Sequence, residues 1–279
     1  MSLQAPLFNL SKAPHDDVLD IIEARLCLIL DRAAGHYSAL NGTAGFPTGV
    51  GTWVRLAWHP PAEVNAEALT GLEAALDLDQ IPRPLWRSAA TWYDTDREVV
   101  WRADEMTRVT DPAVSGTGSL TTDPGLPDTW WADLQAASKS LAAYKTQRIC
   151  MTQEHLSRRI TEVYGDELDT TITDWATVHG DLGWANVCGP TLTLIDWESW
   201  GRAPAALDPA TLWVASLQVP PLAAKVLEVF DEVLSTRTGR LVRLMQCANV
   251  ARAFNRTGQK GPLTDVMATT APELLADLT

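Results

Sequence analysis

The stretch from Val178 to Glu198, VHGDLGWANVCGPTLTLIDWE, constrains this chain more than any other. His179, Asp181 and Asn186 sit in a short polar loop between apolar segments. A turn follows at Cys188-Gly189-Pro190. An apolar run from Leu192 to Asp196 then reads as a strand ending in the carboxylates of Asp196 and Glu198. A strand-end Asp beside a loop bearing Asp and Asn makes a compact set of oxygen donors. Mg2+ favours such a set, with hard oxygens, one or two carboxylates, and substrate phosphates completing the shell. A further Asp remains available as a base.

The flanking pattern divides the chain. Upstream, apolar spacing from Val18 to Leu30 predicts a helix over 16–34, capped by Asp16 or Asp17 and stopped at Gly35. Residues 36–51, HYSALNGTAGFPTGVG, read as a short strand and a loop, and 52–58, TWVRLAW, as a strand. Leu69, Leu72 and Leu76 predict a helix over 62–78. Strands around Ala89–Tyr93 and Glu98–Ala103, joined through Asp94-Thr95-Asp96, read as a hairpin. Residues 110–128 are a loop of Pro, Gly, Ser and Thr, and mark a boundary between residues 1–109 and 110–279. Beyond it helices are expected over 128–145, 152–164, 207–217, 220–236 and 239–254. Strands first and helices second predict an α+β chain of two lobes. A cleft between lobes is a common ligand site.

The order His179-Gly180-Asp181, Asn186, then Ile195-Asp196-Trp197-Glu198 resembles kinase-type phosphotransferases, which carry H-x-D-x-x-x-x-N followed by an apolar strand and a second Asp. Gly after His, and the Ile-Asp-Trp-Glu ending, are similar to the aminoglycoside phosphotransferase and choline kinase branch. The resemblance implies a two-lobed protein-kinase-like fold, with a small β-rich N-terminal lobe and a larger helical C-terminal lobe. It also implies Mg-dependent transfer of a phosphoryl group from ATP or GTP to a small-molecule hydroxyl. Asp181 would accept or orient the hydroxyl proton, and Asn186 and Asp196 would hold Mg2+. His179 would tie the catalytic loop down. Asp208, in Leu207-Asp208-Pro209-Ala210, would cap the next helix as structural support.

The N-terminal lobe departs from this pattern. Such a lobe supplies a Gly-rich loop, a strand Lys and a helix Glu. Gly42, Gly45, Gly49 and Gly51 form no G-x-G-x-x-G and suit an ordinary flexible loop as well. No Lys occurs between Lys12 and Lys139. Arg55 stands where the resemblance places the Lys. A guanidinium binds phosphate well but is longer and planar, so Arg55 is either a nucleotide contact or a solvent-facing strand residue. Glu73, ahead of Glu67, is the pairing acid. Backbone groups near Trp101 to Ala103 would meet the adenine edge.

Trp184, Trp197 and Trp200 cluster around the loop. With Glu198, Asp128, Asp133 and Asp174 they form a candidate acceptor pocket for a cationic molecule such as an aminoglycoside or aminosugar, or else they are core. Resistance to antibiotics, their biosynthesis and ordinary metabolism all fit such an acceptor. A net charge of -13 disfavours nucleic acid as partner. The most apolar early stretch is too short and charged to span a membrane, and no signal peptide is evident. Cys27, Cys150, Cys188 and Cys247 lie apart without a CxxC pair, which fits reduced thiols in a cytoplasm. A monomer or homodimer is expected. The competing expectation is a pseudokinase, a nucleotide-binding or partner-binding module without transfer. A metal-dependent hydrolase would need a second ligand cluster or a nucleophile, which the sequence does not offer near the loop.

Overall fold

The structure is a computed structural model and describes residues 8–38 and 42–278. Residues 39–41, inside the expected glycine-bearing loop, lie outside it. The chain forms two compact units. One takes the chain up to Asp77 together with Arg83–Thr110. The other takes Leu78–Pro82 with Asp111 onward.

The first unit is built on an antiparallel sheet of order β1-β2-β3-β5-β4. Its strands are β1 (His36–Tyr37), β2 (Thr43–Pro47), β3 (Thr52–His59), β4 (Trp86–Asp94) and β5 (Val99–Thr107). Alternation along the strands separates two faces. Val54, Leu56, Val99, Trp101 and Ala103 pack with Val18, Leu19 and Ile22 of helix α1 (Asp16–Leu26) into an apolar core. The opposite face carries Arg55, Arg102 and Asp104, with Arg55 directly across from Asp104. The β4–β5 hairpin turns where expected, because Asp94 Oδ1 accepts from the backbone N–H of Asp96 and of Arg97.

Two expected helices are shorter than their apolar spacing suggested. Helix α1 stops at Leu26, where Cys27 turns left-handed (φ 54°) and closes onto Glu23 O. The Glu23 carboxylate then accepts from Leu30 N and from Arg32, which folds the chain back. Residues 62–78 are not one helix but the single turns α2 (Ala66–Leu69) and α3 (Gly71–Ala74) between 3-10 turns. Gly71 is a poor helix former, and Thr70 Oγ1 bonds back to Ala66 O in competition with the helix.

The second unit is mainly helical: α4 (Asp128–Ala143), α5 (Gln153–Tyr164), α6 (Leu207–Ser216), α7 (Pro220–Val229), α8 (Asp231–Leu234), α9 (Arg237–Thr257) and α10 (Thr264–Ala276). The expected helix over 220–236 breaks at Phe230 (φ -112°) into α7 and α8. α10 lay outside the expected set. Short strands β6 (Trp175–Val178) and β9 (Gly201–Pro204) pair, as do β7 (Val187–Cys188) and β8 (Thr193–Leu194). The expected strand 192–196 is therefore only two residues long. Its end is held by Leu194 N donating to Pro82 O, a contact between Leu78–Pro82 and the rest of this unit. No helix among the described residues is long and apolar enough to cross a membrane.

Candidate active site

The loop after β6 is positioned by one buried carboxylate. Asp208, in the first turn of α6, accepts from the backbone N–H of His179 (2.6 Å, Oδ2) and of Gly180 (2.8 Å, Oδ1). Both oxygens are thus engaged by the loop's main chain. Burial pushes the Asp208 carboxyl up to about 6, against the pull of those two N–H groups, and the charge of Asp181 adds to the rise. Asp208 does not cap α6, whose N-cap is Ala206 without a side-chain bond; it clamps two consecutive peptide groups of the loop instead.

Gly180 explains why Arg cannot follow His here. Its φ is +88°, and an added Cβ would lie 2.6 Å from both Cys150 Sγ and Ser199 O. His179 is fully buried, edge-on to the Trp197 ring at 4.7 Å. Its Nε2 lies 2.9 Å from Ile195 O. A carbonyl only accepts, so Nε2 carries the proton and donates, leaving Nδ1 bare and without a hydrogen-bond partner. Burial drives the imidazole down to about 4, although Asp196 and the Ile195 carbonyl favour the charged form. His179 is therefore a neutral brace between the loop and the segment that carries Asp196.

Asn186 donates through Nδ2 to Asp181 O (2.8 Å) and Asp181 Oδ2 (3.1 Å). Its own backbone carbonyl accepts from Ile195 N, which ties the loop to the end of β8. Both side-chain donor contacts use the nitrogen, so Oδ1 takes no part in them. Asp196 is exposed and left-handed (φ 67°), a conformation Asp tolerates better than most residues. The Asp181 carboxyl is raised, first by desolvation, then by the negative charge of Asp196, with the Asn186 amide opposing. The charge of Asp196 therefore reaches Asp181. Among the described residues no group of three or more His, Cys, Asp or Glu could hold a metal. The donors here are an amide oxygen and carboxylates, which fits Mg2+ sharing its shell with phosphates rather than a protein-only cage.

Several expected site residues are placed differently. Trp101 to Ala103 lie inside β5, an interior strand paired on one side with β3 and on the other with β4. Their backbone groups belong to the two ladders and cannot also meet an adenine edge. Main chain outside the sheet begins only after Thr107. Trp184 and Trp200 are core residues, not stacking surfaces for an acceptor. Trp184 is fully buried, stacked on Trp130 (6.2 Å, 20°), and donates its Nε1–H to Ser216 Oγ. The Trp200 ring is covered by the guanidinium of Arg148 at 4.8 Å, so its cation is supplied from within the chain. Glu198 is half-buried, and its carbonyl accepts from Arg148.

In the first unit Glu73 pairs with Arg102 of β5 at 3.2 Å. Arg102 also forks onto Asp104 through Nε and a terminal nitrogen, and donates to Thr91 Oγ1. Trp86 Nε1 donates to the same Asp104 carboxylate. Sequence reasoning missed this cluster. Its signal was opposite charges two apart in a strand, Arg102 and Asp104, which must share one face.

No protein-family model matches the chain, and no curated protein matches its sequence. Solved structures do match in fold. Amicoumacin kinase hAmiN, in complex with AMP-PNP, Ca2+ and Ami, superposes with a TM-score of 0.55 at 10% identity, over 93% of this chain and 93% of that one. Choline kinase LicA from Streptococcus pneumoniae gives 0.53 at 11%, over 94% and 99%. APH(2")-IIia, as its GDP and kanamycin complex, gives 0.55 at 11%, over 94% and 98%. At such identities the likeness is one of fold. The chain has the α+β protein-kinase-like fold of aminoglycoside phosphotransferases and choline kinases, with a β-rich N-terminal unit and a larger helical unit.

Proposed function

We propose that this protein is a small-molecule kinase that transfers the γ-phosphoryl of ATP or GTP to a hydroxyl. The single observation that carries the reading is the braced loop. Asp208 clamps its first two peptide groups, and Asn186 holds the Asp181 carboxylate by its Nδ2 while keeping Oδ1 for a cation. Asp181 orients the acceptor hydroxyl and takes its proton as the oxygen attacks phosphorus. Its raised carboxyl is better suited to that than an ordinary surface Asp. Asn186 and Asp196 would hold Mg2+, which when bound neutralises phosphate charge. The nucleotide complexes of the amicoumacin kinase and of APH(2")-IIia support this class of donor. Asp181, Asp196 and Glu198 keep the loop region acidic, which favours a cationic acceptor such as an aminoglycoside or aminosugar. We assign the adenine edge to main chain following Thr107, in place of Trp101 and Ala103.

The test is acceptor-dependent release of ADP or GDP with Mg2+ across aminoglycosides, aminosugars and choline-like amines. Asp181→Asn should lower turnover by roughly 10²–10⁴-fold while nucleotide binding persists. Unchanged turnover in that variant removes Asp181 from the chemistry. Asp196→Ala should weaken Mg-nucleotide binding itself.

One observation favours a second reading, a pseudokinase. No Lys lies between Lys12 and Lys139, and the cation opposite Asp104 is Arg55. Arg55→Ala separates the two. A strong rise in nucleotide KM makes Arg55 a phosphate contact in an active kinase. Nucleotide binding without turnover for any acceptor supports the pseudokinase.

A further inference from the structure

The chain carries 35 acidic against 22 basic residues, yet one seam of the helical unit concentrates arginines. Residues 155, 158, 159 and 162 share a face of α5, and 249, 252 and 256 share a face of α9, by helical spacing. The two faces meet. Glu162 of α5 pairs with Arg158 on its own helix and with Arg252 of α9. Arg159 Nη1 donates to Asn249 Oδ1 across the seam at 3.0 Å. Arg158 and Arg252 thus flank one carboxylate, and Arg159 lies near enough to feel its charge and those of Arg158, Arg252 and Arg256.

Among the described residues Arg159 has no carboxylate as a hydrogen-bond partner. Its hydrogen bond to Asn249 is to a neutral amide, and its Nε is buried with no hydrogen-bond partner. Desolvation first, then the charges of Arg252 and Arg158, push its guanidinium below the ordinary value, with Arg256 adding. His155 is pushed down too, by desolvation and then by Arg159, Arg158 and Arg252. It is neutral near pH 7, and Arg158 contacts its Nδ1 at 3.4 Å. Like charges held together in a partly buried seam repel, and an anion seated among them relieves that repulsion. Arginine forks match phosphate oxygens two at a time. From residue 155 to 162 the row runs about 10 Å along α5, longer than one oxoanion needs.

We propose that the α5–α9 seam is a binding site for a short phosphate chain, with Arg158, Arg159, Arg252 and Arg256 as the contacting residues. It is separate from the loop bearing Asp181 and does not depend on the kinase reading. The probe is inorganic triphosphate, titrated calorimetrically into the full-length protein at low salt without divalent metal. His155 ring signals are followed by NMR in parallel. The expected result is saturable binding, a shift of the His155 signals, and weakening of at least about tenfold in Arg159→Gln/Arg252→Gln. Arg256→Gln, an exposed change that leaves the Glu162 pairs in place, should weaken binding by a smaller factor and guards against loss of fold in the double variant. Free ATP is titrated under the same conditions. Tighter binding of ATP than of triphosphate assigns a nucleotide tail, and weaker binding assigns an inorganic chain. No saturable binding of triphosphate, or equal affinity in wild type and both variants, overturns the proposal.

Discussion

Replacing Asp208 by Asn tests the clamp through its proton rather than through activity. The carboxyl titrates near 3.8 in the unfolded chain and at about 6 in the folded protein. Between those values the folded state holds the proton more tightly, so the group adds stability as pH falls from about 6 to about 4. The same contribution is lost as pH rises. At about 1.4 kcal/mol per tenfold change in proton affinity, the full swing is about 3 kcal/mol. His179 works the other way in this window. Its folded imidazole titrates at about 4 against 6.5 unfolded, so its contribution is lost as pH falls. A wild-type pH profile alone would therefore show little. The difference between wild type and Asp208→Asn isolates the carboxyl, because His179 and the remaining groups cancel. The Asn amide can accept from only one of the two N–H groups and faces the other with its own donor, a penalty of about 1–3 kcal/mol that does not vary with pH. Urea unfolding of both proteins at pH 7 and pH 4.5 should show the wild type gaining roughly 2 kcal/mol relative to the variant on acidification. Parallel profiles would refute the claim that a buried, ionised Asp208 holds the loop at neutral pH. Turnover of the variant should fall at every pH, since the peptide groups of His179 and Gly180 are no longer both anchored.

Other changes probe single contacts. Gly180→Ala should lower stability by about 2–4 kcal/mol in urea unfolding, from left-handed strain and the clash with Cys150 and Ser199. Adding Cys150→Ala should recover only part, because the Ser199 contact is main chain. Full recovery would show that backbone strain contributes nothing. Arg102→Leu should cost about 3–5 kcal/mol by leaving the buried Asp104 charge without its guanidinium and held only by the Trp86 N–H, whereas Arg102→Leu/Asp104→Leu should restore most of it. A loss under about 1 kcal/mol in the single variant would mean that Asp104 finds water or another partner. Arg148→Ala should uncover the Trp200 ring and raise its accessibility to a fluorescence quencher. An unchanged quenching constant would contradict the stacking of Arg148 on Trp200.

The sequence by itself determined the chemistry-bearing loop. His179, Asp181, Asn186 and Asp196 are close along the chain, and two short strands, β7 and β8, suffice to bring them together. Local spacing therefore carries most of that geometry. It also determined the order of sheet and helices, because periods of 2 and 3.6 are written in neighbouring residues. Tertiary structure decided what depends on distant partners. Trp184 and Trp200 read as pocket or as core until Trp130 and Arg148, remote in sequence, covered their rings. Trp101 to Ala103 read as a hairpin strand with backbone groups left for an adenine edge, until β3 and β4 closed on both sides of β5. Glu73 found Arg102 instead of Arg55, because which cation a short helical turn reaches depends on how the turn lies on the sheet. The arginine seam between α5 and α9 joins residues about 90 apart. Hydrogen bonds and burial are satisfied in space, and a one-dimensional pattern specifies only those partners that the chain already holds nearby.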